Sequence, residues 1–109
     1  MNNIDLIIDK LLKFRDERDW KQFHNSKDLA LAINIEAGEL LELFLWKESE
    51  NFDKEKLNEE LADILAYCLL LAEKNKIDIF KILEDKIEKN ALKYPVSKSK
   101  GTSKKYDEL

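Results

Sequence analysis

LALAINIEAGELLELFLW (residues 29–46) and LNEELADILAYCLLLA (residues 57–72) are the stretches on which the reading of this chain turns. Neither contains proline, and each carries two acids three positions apart: Glu36 and Glu39 in the first, Glu60 and Asp63 in the second. Helical periodicity of about 100° per residue places the members of each pair about 60° apart on one side of their helix. The nearest angular neighbours of Glu36 and Glu39 are Leu29, Ala32, Leu40, Leu43 and Trp46. Those of Glu60 and Asp63 are Ile64, Tyr67, Leu70 and Leu71. Four carboxylates are therefore expected to point into apolar surroundings, on two helices that face each other.

An ionised carboxylate buried without a partner costs on the order of several kcal/mol, so a cationic partner is implied. The residues leave two solutions open. Lys56, Arg15 or Arg18 could supply a salt-bridge network. Alternatively, four oxygens from two helices could form one side of the octahedral shell, with bonds of about 2.1 Å, that Mg²⁺ requires. Neither stretch contains histidine, which disfavours the zinc and di-iron sites of helical bundles and favours Mg²⁺, with Mn²⁺ as an alternative.

The remainder of the 109 residues agrees with one all-α domain. Two glycines and one proline are too few for the turns of a strand-rich fold. A net charge of −4 argues against a surface that coats a nucleic-acid polymer. The single cysteine, Cys68, excludes an internal disulfide and reads as core packing in a reducing compartment. No apolar run approaches the roughly 18 residues of a membrane span, and MNNIDLIIDKLLKF lacks a basic leader pattern, so a cytoplasmic protein is expected.

A first helix is predicted over residues 3–19, with Ile4, Ile7, Ile8, Leu11 and Phe14 as its apolar stripe. Residues 19–25 read as a loop in which Trp20, Phe23 and His24 either seal the bundle mouth or offer a platform to a base. The spacing then predicts a second helix, capped by Ser26 and running to Trp46, a third over 54–75 capped by Asp53, and a fourth from Asp78 to Lys93, stopped by Pro95. The second helix is apolar around its circumference, which predicts burial in a subunit interface. Gly38 costs that helix about 1 kcal/mol against alanine, so another helix or a ligand is expected to approach closely there. The domain is taken as residues 1–95. Residues 96–109, with Lys98, Lys100, Lys104 and Lys105, form a basic tail that is either disordered or an arm for anionic oxygens.

Glu36-Ala-Gly-Glu39, a gap of 20 residues, then Glu60-Leu-Ala-Asp63 resembles the ExxE…ExxD signature of the MazG-type all-α nucleotide pyrophosphohydrolases. ERDWKQFHNSKDLAL (17–31), GELLELFLWK (38–47) and KYPVSKSKGTSKKYDEL (93–109) are similar to its short dCTP pyrophosphatase branch, so the likeness covers nearly the whole chain. It implies a four-helix bundle assembled as a homo-oligomer, a tetramer ahead of a dimer. It also implies Mg²⁺-dependent cleavage of a nucleoside triphosphate, dCTP or a related or modified dNTP, to monophosphate and pyrophosphate by metal-activated water attack at the α-phosphorus. Glu36, Glu39, Glu60 and Asp63 would hold the metal and carry catalysis. Trp20, His24, Trp46, Tyr67, Asn90, Lys93, Tyr94, Lys104 and Lys105 would surround the nucleotide, the tail acting as the arm. Cytosine-preferring relatives carry a histidine in the first helix near the place of Leu11, so the base is left open. A helical scaffold held by salt bridges and a nucleotide sensor without turnover are the alternatives.

Overall fold

The computed structural model describes residues 2–109, and among them the regular elements are all helical. Residues up to Lys76 form one compact unit and Ile77–Leu109 a second.

In the first unit, α1 spans Asn3–Glu17 and is capped by the Asn2 side chain, which accepts from the Asp5 N–H at 2.9 Å. Its covered stripe is Ile4, Ile8, Leu11 and Leu12, ending in Arg15, which is only 6% exposed. Ile7 and Phe14, expected on that stripe, are exposed. The stripe is displaced because the Arg15 stem packs as an apolar group while its guanidinium finds carboxylates: Asp16 at 2.8 Å and Glu73 at 3.6 Å. The connection to α2 contains a 3₁₀ turn over Lys21–Phe23.

Helix α2 spans Ser26–Glu42. Its cap is Asn25, one residue before the expected Ser26; the Asn25 side chain accepts from the Asp28 N–H at 2.8 Å. Ser26 instead accepts from the Asn75 amide at 3.1 Å, which ties the start of α2 to the end of α3 and makes the two helices antiparallel. α2 also stops four residues short of Trp46. Leu43, Phe44 and Leu45 donate to carbonyls three residues back, the tightening typical of a helix end. The Phe44 ring meets Phe52 at 5.1 Å, and Trp46 takes a left-handed φ of 61°. No breaker residue announces this end. Helix α3 spans Lys54–Lys74, with the Asp53 carboxylate accepting from the N–H groups of Glu55 and Lys56 as its capping position predicts.

Helices α1 and α2 both pack on α3, and the buried apolar core of the described residues is Leu29, Leu70 and Ala72. Three helices cannot cover this much apolar surface: Ile35 on α2 and Leu65 on α3 are each 60% exposed. Within the chain, Gly38 has no neighbour within 4 Å of where a Cβ would stand, so the close approach expected there is not made by this chain. Gly38→Ala is therefore expected to stabilise the isolated chain by about 1 kcal/mol, read as a higher melting temperature. A variant that instead weakens self-association would show that a second copy closes on this position.

In the second unit, α4 spans Ile79–Lys93, capped by Asp78 through the N–H groups of Phe80 and Lys81 and ended before Pro95. The tail is not structureless: α5 spans Val96–Ser99, and a 3₁₀ turn covers Tyr106–Glu108. The Tyr106 ring stands edge-on to Tyr94 at 6.2 Å, with the Lys93 ammonium 4.9 Å from its centroid.

Candidate active site

The antiparallel pairing of α2 and α3 brings the acids together. Glu36, Glu60 and Asp63 each offer one carboxylate oxygen, and these oxygens lie within 4.8 Å of one another. Glu39 is close enough to Glu36 to bear on its charge. The expected apolar enclosure is only half realised: Glu36 and Glu60 are partly buried, whereas Glu39 and Asp63 are exposed. The reason is that a single chain leaves the outer sides of α2 and α3 uncovered.

The salt-bridge reading fails on geometry. Arg15 is taken by Asp16 and Glu73. Arg18 donates to the Phe14 carbonyl at 3.0 Å and lies over the Phe14 ring. Among the described residues, no Lys or Arg lies within 4.0 Å of any of the four acids. One oxygen each of Glu36 and Glu60 is buried without a hydrogen-bond partner. Buried acceptors left unmatched, on carboxylates clustered without a base, fit a hard divalent cation, which needs oxygen donors of this kind.

The crowding appears in Glu36. Burial first, then the carboxyls of Glu39 and Glu60 that can share its proton, and then the charges of Glu39 and Asp63, push its pKa from 4.5 up to about 7. The folded chain therefore holds this proton more tightly than the unfolded chain between pH 4.5 and about 7. This contribution makes metal-free stability fall as pH rises through that window. Metal binding must displace the proton, so affinity should rise over the same window. Thermal melts with chelator across this range should show the decline, and Glu36→Gln should flatten it. An unchanged slope in the variant would remove Glu36 as its source.

Next to Asp63 lies a largely apolar cavity of about 270 Å³, walled by Leu11, Phe14, Trp20, His24 and Tyr67, with Arg15, Ala66 and Leu70 completing it. Trp20 packs edge-to-face on Phe14 at 5.7 Å. His24 is kept below its usual pKa by burial and by the nearby charge of Arg15. The structure thus brings Trp20, His24, Tyr67 and Asp63 to one cavity. Trp46 is not among its walls and is 94% exposed. Its expected position, two turns beyond Glu39 on the same helix, is corrected by the early end of α2. Lys93 and Tyr94 are brought together at the end of α4 by Tyr106. Asn90 lies on α4, and Lys104 and Lys105 lie between α5 and the final turn. Phe14 and Arg15 are cavity walls that no single motif announces, although Leu11, Phe14 and Arg15 share helical spacing, as do Asp63, Ala66, Tyr67 and Leu70.

Antiparallel helices that present clustered, unpaired carboxylates beside an aromatic cavity define an all-α protein with an acidic site suited to a divalent cation. The chain belongs to the MazG-like family, whose sequence pattern matches residues 31–109. It is 40% identical over 105 residues to dCTP pyrophosphatase 1 of Bos taurus and 37% identical over 105 residues to that of Homo sapiens. Each alignment covers 89% of this chain, and the chain spans 62% of the length of these curated relatives. A crystal structure of a pyrophosphatase from Archaeoglobus fulgidus superposes with a TM-score of 0.79 at 38% identity, covering 87% of this chain and 94% of that one. Among the described residues, no helix is long and apolar enough to cross a membrane.

Proposed function

We propose that the protein is a Mg²⁺-dependent nucleoside triphosphate pyrophosphohydrolase acting on dCTP or a related or modified dNTP. The observation that carries this reading is the cluster of Glu36, Glu60 and Asp63 oxygens within 4.8 Å, without a basic partner and beside an aromatic cavity. Similarity to proteins described as dCTP pyrophosphatase 1 supports the reaction and the substrate class.

Glu36, Glu39, Glu60 and Asp63 would hold the metal. Mg²⁺ would neutralise phosphate oxygens, lower the pKa of water and stabilise the leaving group. Hydrolysis joins the oxygen of water to the α-phosphorus and breaks its bond to the α–β bridging oxygen, which leaves with pyrophosphate. The carboxylates draw the triphosphate in only as a metal complex, because alone they repel it. Trp20 and Tyr67 offer aromatic faces to a base, and His24 offers ring nitrogens to a polar edge. The catalytic domain is residues 1–95. Asn90, Lys93 and Tyr94, with Lys104 and Lys105 of the 96–109 arm, would meet sugar and phosphates, lysines acting as point charges on the oxygens. Trp46 would stack on the nucleoside.

The uncovered apolar residues of α2 and α3 support assembly as a homo-oligomer; the preference for a tetramer over a dimer comes from the family resemblance alone. Free, partly covered Cys68 suits a reducing cytosol. A panel of nucleoside triphosphates assayed for monophosphate and pyrophosphate, with and without Mg²⁺, tests the activity. Nucleotide binding without turnover would identify a sensor, and no binding would identify a scaffold. A stable monomer in sedimentation at micromolar concentration would overturn the assembly.

A further inference from the structure

A second cavity of about 240 Å³ shares Arg15, His24 and Leu70 with the aromatic one but has a different character. Its other walls include Lys21, Lys74, Lys76 and a single carboxylate, Glu73. In a chain of net charge −4, four cations around one small cavity run against the overall charge. Arg15 is already matched by two carboxylates, which leaves the three lysines as the cations without an ion pair. Glu73 and Asp16 are both engaged by Arg15, at 3.6 and 2.8 Å. Lys21, Lys74 and Lys76 form no ion pair among the described residues.

Arg15 is nine-tenths buried and held by Asp16 and Glu73, so it forms a fixed part of the wall while the three exposed lysines carry the uncompensated charge.

We propose that this cavity is a binding site for a small polyanion of the pyrophosphate class. Lys21, Lys74 and Lys76 supply charge to its oxygens. The cavity takes a compact oxyanion rather than a macromolecule. Because Arg15, His24 and Leu70 are walls of both cavities, an occupant here is coupled to the pocket beside Asp63, and coupling of this kind is reciprocal. The site stands independently of the proposed reaction.

The test is calorimetric titration of the full chain with inorganic pyrophosphate in chelator-treated, low-salt buffer, where the acid cluster has no metal with which to attract an anion. The expected result is saturable binding that weakens by about tenfold or more in the double variant Lys21→Gln/Lys74→Gln and with added salt. It should survive in Glu36→Gln. Both lysines are exposed, so the double variant should melt as the parent does. A non-hydrolysable nucleoside triphosphate titrated in parallel separates the free anion from a nucleotide's phosphate tail. Weakening confined to pyrophosphate assigns the site to the free anion. Absence of saturable binding, equal affinity in the double variant, loss in Glu36→Gln, or equal weakening of nucleotide and pyrophosphate would each overturn the proposal. Turnover is measured separately, so a failed titration leaves the pyrophosphohydrolase reading intact.

Discussion

Glu36→Gln, Glu39→Gln, Glu60→Gln and Asp63→Asn are each expected to reduce dNTP turnover by more than about 100-fold, since even residues that only support metal ligands typically cost 10–100-fold. The same variants should melt, without metal, no lower than the parent. The oxygens of Glu36, Glu60 and Asp63 lie within 4.8 Å of one another and have no basic partner. Neutralising one therefore relieves repulsion instead of orphaning a cation. Glu36 makes the case most sharply, because burial and then its neighbouring carboxyls already push its pKa up to about 7. A salt-bridge network predicts the opposite, since breaking a buried pair costs about 3–5 kcal/mol. Activity assays paired with metal-free melts separate the two. Uniform destabilisation of all four variants would remove the metal reading.

Trp46→Ala should raise KM for dNTPs by about 5- to 150-fold if the indole stacks on the base, the equivalent of about 1–3 kcal/mol. Its stability should stay within about 0.5 kcal/mol of the parent, because Trp46 is 94% exposed and has no packing to lose within the chain. Trp20→Ala makes the contrast. Trp20 is a wall of the cavity beside Asp63 and packs on Phe14, so its removal should raise KM and lower the melting temperature together. Steady-state kinetics and melts of both variants check this. An unaltered KM in Trp46→Ala would take that residue out of the nucleotide site, leaving Trp20 and Tyr67 as its aromatic faces.

Local chemistry made much of this protein legible from residues alone. Asp53 and Asp78 are capping types followed by helix formers, and they cap α3 and α4. Pro95 ends α4 because it constrains the residue before it. The i, i+3 spacing alone puts Glu36 beside Glu39 and Glu60 beside Asp63, because helical periodicity is a property of a single segment. Resemblance in ordered motifs supplied the family, which single-segment physics could not.

Everything that depended on a partner element was settled only by tertiary structure. Apolar periodicity could not say that α2 would stop at Glu42, because the stretch through Trp46 remains a good helix in isolation. The turn forms where Phe44 meets Phe52, a contact eight residues apart. Arg15 read as a charged helix end and a candidate partner for the four acids. Its burial depends on Glu73, which lies near the end of another helix. The cavity beside Asp63 combines walls from α1, the following loop and α3, so no window of sequence contains it. Glu39 and Asp63, expected in apolar surroundings, are exposed because burial depends on which faces receive a cover. Spacing decides which side chains share a face; only packing decides what that face meets.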